Sequence, residues 1–309
     1  MHSNIRHVVR QALRCMPFLL MSHSIAWGVE RDPRQFVTEP STESVTMSIS
    51  GKPCWTYVPQ SREGKPYFHP LTIPGTDVVL TAFRPPDHVW HLGLWFSWKF
   101  INGVNFWEPD TNGVTRVLSQ TVFPAADKTF VTDVLLAYIA KGTETVREKR
   151  RVRVITQPSG NYTIEWDSTF TAQETEAVFS STPVKKDLSG NWATGGYSGL
   201  LWRFTDSPAM SYALINEEHL ADVKTCGKKS ASLTILATAV ASGAKAKIIF
   251  RDNPENPRYP TPWFVRHSTT AHKGRGYYLI GPSAVFHEPL KLVRGESARF
   301  RYTLTVERL

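Results

Sequence analysis

From Tyr162 to Thr171 apolar and polar side chains alternate almost one for one. Tyr162, Ile164, Trp166 and Phe170 share one parity; Thr163, Glu165, Asp167 and Thr169 share the other. Successive side chains of an extended chain point to opposite faces, whereas a helix repeats every 3.6 residues. This segment therefore reads as a strand with one wet face and one buried face. The C-terminus repeats the pattern, with Phe300, Tyr302, Leu304 and Val306 opposed to Arg299, Arg301, Thr303 and Thr305. One-sided strands of this kind belong to antiparallel sheets that cover each other.

Further strands are expected over Val45–Ile49, Trp55–Val58, Val78–Phe83, Leu94–Phe100, Val114–Val122, Asp133–Ile139, Gly199–Phe204, Leu233–Val240, Lys247–Phe250, Tyr277–Ile280 and Lys291–Val293. Gly51-Lys52-Pro53, Pro74-Gly75, Asn112-Gly113, Pro158-Ser159-Gly160, Ser189-Gly190 and Arg294-Gly295 separate them as turns. Only Asn216 to Lys224 reads as helical. Helices never alternate with strands, which excludes doubly wound and (β/α)₈ architectures. The expectation is an all-β fold, a large antiparallel β-sandwich with few short helices, formed by residues 45–309 as a single domain. With 41% hydrophobic and 20% charged residues, the chain has enough apolar surface for that core.

Residues 1–28 read as an export signal: a basic start with Arg6, Arg10 and Arg14, a short apolar run from Cys15 to Met21, and Ser24-Ile25-Ala26 before a cleavage point. The alternative is an uncleaved extension. Residues 29–44, polar and holding Pro33 and Pro40, read as a linker. The expected location is periplasmic or secreted. No run of ~18 apolar residues occurs, so no membrane span is expected. An oxidising compartment could join Cys54 to Cys226, but two distant cysteines carry no framework signature.

The net charge of +9 raises the question of an acidic partner. Its densest run is Arg147, Lys149, Arg150, Arg151 and Arg153. There Val152 and Val154 alternate with Arg151 and Arg153, which puts the arginines on a solvated strand face. A phosphate or acidic-glycan patch is the alternative. No nucleic-acid-binding motif accompanies the run, and no nucleic-acid partner is expected.

The chemistry concentrates between Tyr67 and Asp110. Two prolines precede Asp87-His88-Val89-Trp90-His91, so a turn is expected there. His88 and His91 share a face if the turn is helical and oppose each other in a flat strand. Imidazole suits acid–base work or metal binding near neutral pH, and Asp87 is placed to hold an imidazole tautomer. The competing reading is a polar loop with structural histidines. Trp95 and Trp98 have opposite parity, so one is expected in the core and the other is free to stack on a flat ligand. Glu108, beside Trp107, is either a carboxylate partner for the histidines or a solvated loop residue. Arg251-Asp252-Asn253-Pro254-Glu255-Asn256-Pro257-Arg258-Tyr259-Pro260-Thr261-Pro262-Trp263 forms a rigid loop presenting Asp252, Asn256, Arg258 and Trp263, which either positions ligand contacts or is a structural crossover. No GxSxG and no phosphate-cradling glycine loop occurs.

Taken together, Pro66-Tyr67-Phe68-His69-Pro70-Leu71, Asp87-His88-Val89-Trp90-His91-Leu92-Gly93-Leu94-Trp95, Asn102-Gly103-Val104-Asn105-Phe106-Trp107, Asn256 to Trp263, and Phe286-His287-Glu288-Pro289-Leu290 resemble a bacterial family labelled methane oxygenase PmoA-like. The resemblance runs from about Gly51 to the C-terminus. This chain departs from the family at Val89, Trp90 and Leu92, where the family has Pro, His and Arg, so one family histidine is missing. The resemblance implies a galactose-mutarotase-like sandwich that binds sugar in a cleft on one sheet and uses histidine with a carboxylate. On that reading His88, His91, Glu108 and Asp87 are catalytic. His69, Trp95, Trp107, Asn256, Arg258 and Trp263 bind a carbohydrate ligand, and no cofactor is required. A hydrolase, lyase or epimerase fits; a non-catalytic sugar-binding protein is the alternative. The label itself implies a copper-type oxygenase, whose metal would fall to His69, His88 and His91.

Overall fold

The computed structural model describes residues 32–41, 43–109, 112–125, 127–186, 190, 192–206 and 208–309. The leader read over residues 1–28, with Cys15, and the loop residue Asp110 lie outside the described residues. The body from Pro33 to Leu309 is one compact unit. It is built from two eight-stranded antiparallel sheets, as the alternating segments require.

The first sheet runs, in spatial order, Arg34–Glu39, Ser44–Ile49, Lys52–Val58, Tyr67–Leu71, Leu94–Ser97, Gly199–Arg203, Tyr277–Pro282 and Trp263–Ser268. The second runs Met210–Asn216, Ser232–Ala239, Lys245–Asp252, Ser297–Arg308, Tyr162–Ala172, Thr143–Thr156, Thr129–Ala140 and Gly113–Pro124. A four-stranded sheet and a two-stranded ribbon complete the body. The two most regular sequence segments are neighbours in the second sheet, with Trp166 opposite Tyr302 and Ile164 opposite Leu304.

The sheets meet through aromatic rings. Phe96 packs on Phe170 with centroids 5.0 Å apart, and Trp98 on Phe179 at 4.5 Å. Trp55 meets Phe130 at 5.3 Å and donates its indole N–H to Thr156 at 2.9 Å, joining one sheet to the other. Offset and edge-on arrangements of this kind add specificity to a large buried apolar area.

Several segments differ from the sequence reading. Residues 29–44 are not wholly linker: Arg34–Glu39 pairs with Ser44–Ile49, and Phe36 packs on Trp55. Val78–Phe83 forms no continuous strand, because Val79, Thr81 and Phe83 each bridge a different partner. The helix expected over Asn216–Lys224 is reduced to a single 3₁₀ turn at Asp222–Thr225. Asn216 explains this: its side chain accepts from the Leu220 N–H at 2.8 Å, closing a turn, and His219 and Asp222 take positive φ. Cys54 and Cys226 are both buried and free, and the Cys54 thiol points at the Gly160 carbonyl.

The basic run divides by parity. Arg147, Arg151 and Arg153 lie on the outer face and pair with Glu144, Asp133 and Glu165. Arg150 shares the parity of Val152 and turns into the sandwich, so it is no part of a solvated patch. There it forms a two-pronged pair with Glu148, at 2.6 and 2.9 Å. Tyr138 and Ser168 also donate to Glu148, and the guanidinium lies 4.7 Å above the Trp166 ring. Both side chains are at most 1% exposed. Removing one partner of such a pair strands the other charge. Glu148→Ala is therefore expected to lower unfolding free energy by about 3–5 kcal/mol in urea titration. Glu165→Ala, which breaks an exposed pair, is expected to cost under ~1 kcal/mol. Equal losses would contradict this assignment.

Candidate functional site

The segment Arg84–Leu92 folds as two linked turns laid on the outer face of the first sheet. Pro85 and Pro86 stop any strand, and Arg84 takes φ +48°. The His88 N–H donates to the Pro85 carbonyl at 2.9 Å, the His91 N–H to His88 at 3.0 Å, and the Arg84 N–H to His91 at 2.8 Å. Gly93 then drops the chain into the sheet with φ +82°. A Cβ there would stand 2.4 Å from the Phe68 carbonyl, so no other residue fits without a shift. This geometry brings His88 and His91 to the same side, with rings stacked 4.6 Å apart.

Asp87 is the hub. Its Oδ2 accepts from Nδ1 of His88 at 2.7 Å and lies 3.0 Å from Nη1 of Arg203. His272 places Nε2 3.6 Å from the same oxygen. Arg203, wholly buried, reaches Asp206 at 2.9 Å and stacks 4.1 Å over the Tyr277 ring. Burial pushes the Asp87 carboxyl up, but the His88 hydrogen bond and the Arg203 charge outweigh it and hold the carboxyl below its usual range. Burial lowers His88 despite the Asp87 partner, and lowers His91 far more. Both imidazoles are therefore neutral at pH 7.

The two histidines differ in access. The His88 side chain is 28% exposed, while His91 is 1% exposed and its Nδ1 has no partner. His91 stands against Trp95 at 5.0 Å and Trp107 at 6.0 Å. It is the back wall of the site and not a reachable acid or base. Trp95 and Trp98 do take opposite faces, but both are buried, as are Trp107 and Trp263. None of these indoles is an exposed stacking platform. Their rings are occupied by protein: Trp95 by His91 and Trp107, Trp98 by the core, Trp263 by Phe250.

The other expected contacts also have structural partners. Glu108 pairs with Lys99 instead of a histidine. His69 bonds Thr81 through Nδ1 at 2.9 Å and stacks on Phe83; burial drops its pKa to about 4. Arg258 donates to the Ala284, Glu288 and Pro289 carbonyls at 2.6–2.7 Å. Asn256 bridges Asp252 and the Arg301 backbone, and the Trp263 indole donates to the Ser230 carbonyl. The proline-rich loop is thus a structural crossover.

Arg203, Asp206, His272 and Tyr277 were not singled out from sequence. They lie far from Asp87 in sequence, and no local pattern marked them: Gly199–Arg203 is buried at every position and does not alternate. Lys65 is another such residue. Its buried ammonium donates to the Phe106 and Trp107 carbonyls at 2.6 and 3.0 Å, fixing Trp107, and burial lowers its pKa to about 8.

The metal trio His69, His88 and His91 does not converge. Among the described residues the histidine, cysteine and carboxylate ligands that do are Asp87, His88 and His272, whose ligand atoms lie within 4.8 Å of one another. The Arg203 guanidinium already occupies the shared Asp87 oxygen, and a fixed cation there opposes a second one. The residues fit a metal ion poorly.

Two cavities of about 430 Å³ open near this region. One, lined by Lys65, Glu108 and Thr115 among others, contains no histidine. The other is lined by Pro86, Asp87, His272, Lys273 and Arg275 and reaches the Asp87 hub.

The chain belongs to a family of unknown function, DUF6807, whose model matches residues 44–308. No curated protein matches it.

His69, His88 and His91 all have folded-state pKa values below 6.5. Unfolded, each would titrate near 6.5, so below that pH the unfolded chain binds more protons than the folded one. Their contribution is complete above about pH 6.5 and drains as pH falls, by up to ~1.4 kcal/mol per pH unit for each. Urea midpoints at pH 7.5 and 5.5, above the ordinary carboxylate range, are expected to show a clear loss at pH 5.5. A flat profile would contradict the neutral, buried state of these rings.

Proposed function

We propose that this member of a family of unknown function is a secreted, carbohydrate-active protein that works by acid–base chemistry at His88, with Asp87 as its carboxylate partner in place of Glu108. The carrying observation is the 2.7 Å bond from His88 Nδ1 to Asp87. An ionised carboxylate can only accept, so Nδ1 carries the proton and Nε2 keeps its lone pair. A neutral imidazole with a free Nε2, held in one tautomer, is a general base near neutral pH. When it takes a proton, the Nδ1–H to Asp87 contact becomes charge-assisted and stronger. Arg203 keeps Asp87 ionised for that role.

The carbohydrate class is supported by the resemblance to the PmoA-like family and to galactose-mutarotase-like sandwiches, which set a histidine and a carboxylate on one sheet face. That support is an analogy of fold and motif. The export-type start of the sequence supports secretion. The alternative, a sugar-binding protein without turnover, uses the same cleft, and the absence of the family's third histidine at Trp90 favours it.

A thermal-shift screen of the mature protein against neutral and acidic sugars, followed by product analysis, tests the reading. A ligand at 100 times its dissociation constant adds about 2.7 kcal/mol of stability. His88→Ala is expected to fold normally, retain binding and lose turnover by about 10²–10⁴-fold. Full turnover in that variant would remove His88 from the chemistry. Saturable binding without any product would leave the sugar-binding alternative.

A further inference from the structure

We propose that the sugar bound over the Asp87–His88 pair carries an anionic group, received by Lys273 and Arg275 at the mouth of the cavity. This rests on the reading of the site given above and names the substrate class within it. The cavity of about 430 Å³ is lined by Pro86 and Asp87, whose carboxyl group is itself buried, and by three basic residues, His272, Lys273 and Arg275.

The charges are not equivalent. Asp87 is held by Arg203 from below and by His88 from the side. Asp206, the other carboxylate nearby, is engaged by Arg203 as well. Both acids therefore have the buried guanidinium as their close partner. Lys273 and Arg275 are exposed; neither makes a close ion pair among the described residues, although Arg275 lies near enough to Asp206 to act on its carboxyl through space. Arg203, Lys273 and Arg275 thus outnumber Asp87 and Asp206 by one, and the two exposed cations are Lys273 and Arg275.

The loop that carries them is shaped for the purpose. His272 and Lys273 take positive φ of 51° and 64°, and Gly274 and Gly276 follow at 82°. The ring of His272 lies 5.8 Å from that of His88 and 5.4 Å from that of Tyr277, which ties the loop to the site. Gly276 lies against the Tyr278 ring, where a Cβ would come within 2.9 Å. Left-handed backbone at two consecutive non-glycine residues is disfavoured and persists where the surroundings impose it. A guanidinium and an ammonium over a cavity recognise a carboxylate, a sulfate or a phosphate ester through charge-assisted hydrogen bonds. His88 does not line this cavity, but its ring is 5.8 Å from that of His272, which does, so an anionic group seated there leaves the sugar ring to extend toward His88.

The test compares glucuronate and galacturonate, glucose 6-sulfate, glucose 6-phosphate, and neutral glucose and galactose. Binding is read by calorimetry and thermal shift at 20 and 200 mM NaCl, with Lys273→Ala, Arg275→Ala and the double variant. These are exposed positions, so the variants are expected to match the native thermal midpoint without ligand. The expected result is tighter binding of at least one acidic sugar than of its neutral parent, by tenfold or more. The double variant should lose that advantage while binding the neutral parent unchanged, and high salt should weaken only the acidic ligand. The carboxylate, sulfate and phosphate arms identify which anion is preferred. Equal binding of neutral and acidic sugars, or variants that keep native affinity for the acidic one, would overturn the inference. His88-dependent turnover of a neutral sugar under those conditions would leave the function standing. No binding or turnover of any sugar would overturn both.

Discussion

A guanidinium shut away from water has to be matched by negative charge close by, and Arg203 is such a group. It sits at the end of the strand Gly199–Arg203, in the middle of the first sheet, with Asp87, Asp206 and the face of Tyr277 around it. Asp87 belongs to a loop with no strand of its own. The demand of Arg203 for a carboxylate is what draws that loop onto the sheet. Once Asp87 is held, its neighbour His88 is oriented, and the turn places His91 beneath. The arrangement of the site thus follows from a single buried charge.

A second buried pair, Glu148 with Arg150, shows the same physics put to a different use. It lies between the sheets and is closed on all sides by Tyr138, Ser168 and Trp166. Every oxygen of Glu148 is satisfied by protein, and both side chains are shut off from solvent. The Asp87 cluster differs because one side remains open. His88 is partly exposed, His272 and the loop after it face solvent, and a cavity lined in part by Asp87 opens beside them. Openness, and not charge alone, separates a candidate site from an internal brace.

The aromatic residues divide in a comparable way. The indoles of Trp95 and Trp107 pack against His91 and one another, and Lys65 pins the backbone of Trp107 from behind. Their bulk excludes water from the back of the site and lowers the basicity of His91. They pack behind His91 and line neither of the two cavities of about 430 Å³.

Alternation by itself determined the fold class. Strands such as Tyr162–Ala172 and Ser297–Arg308 bury every second side chain, and that demand is local, so it is written in consecutive residues. The same parity rule, applied to Arg150, would have sent it inward beside Val152. The turn at Pro85-Pro86 and the pairing of Asp87 with His88 were also legible, because neighbours in sequence are neighbours in space. Tertiary structure alone decided the rest. Arg203 and His272 meet Asp87 across 116 and 185 positions of sequence, and no local pattern announces such an encounter. Burial of Trp95, Trp107 and Trp263 depends on what packs above them, and the partner of Glu108 on where Lys99 points. These outcomes follow from the sheet register and from the charge that the folded core must neutralise.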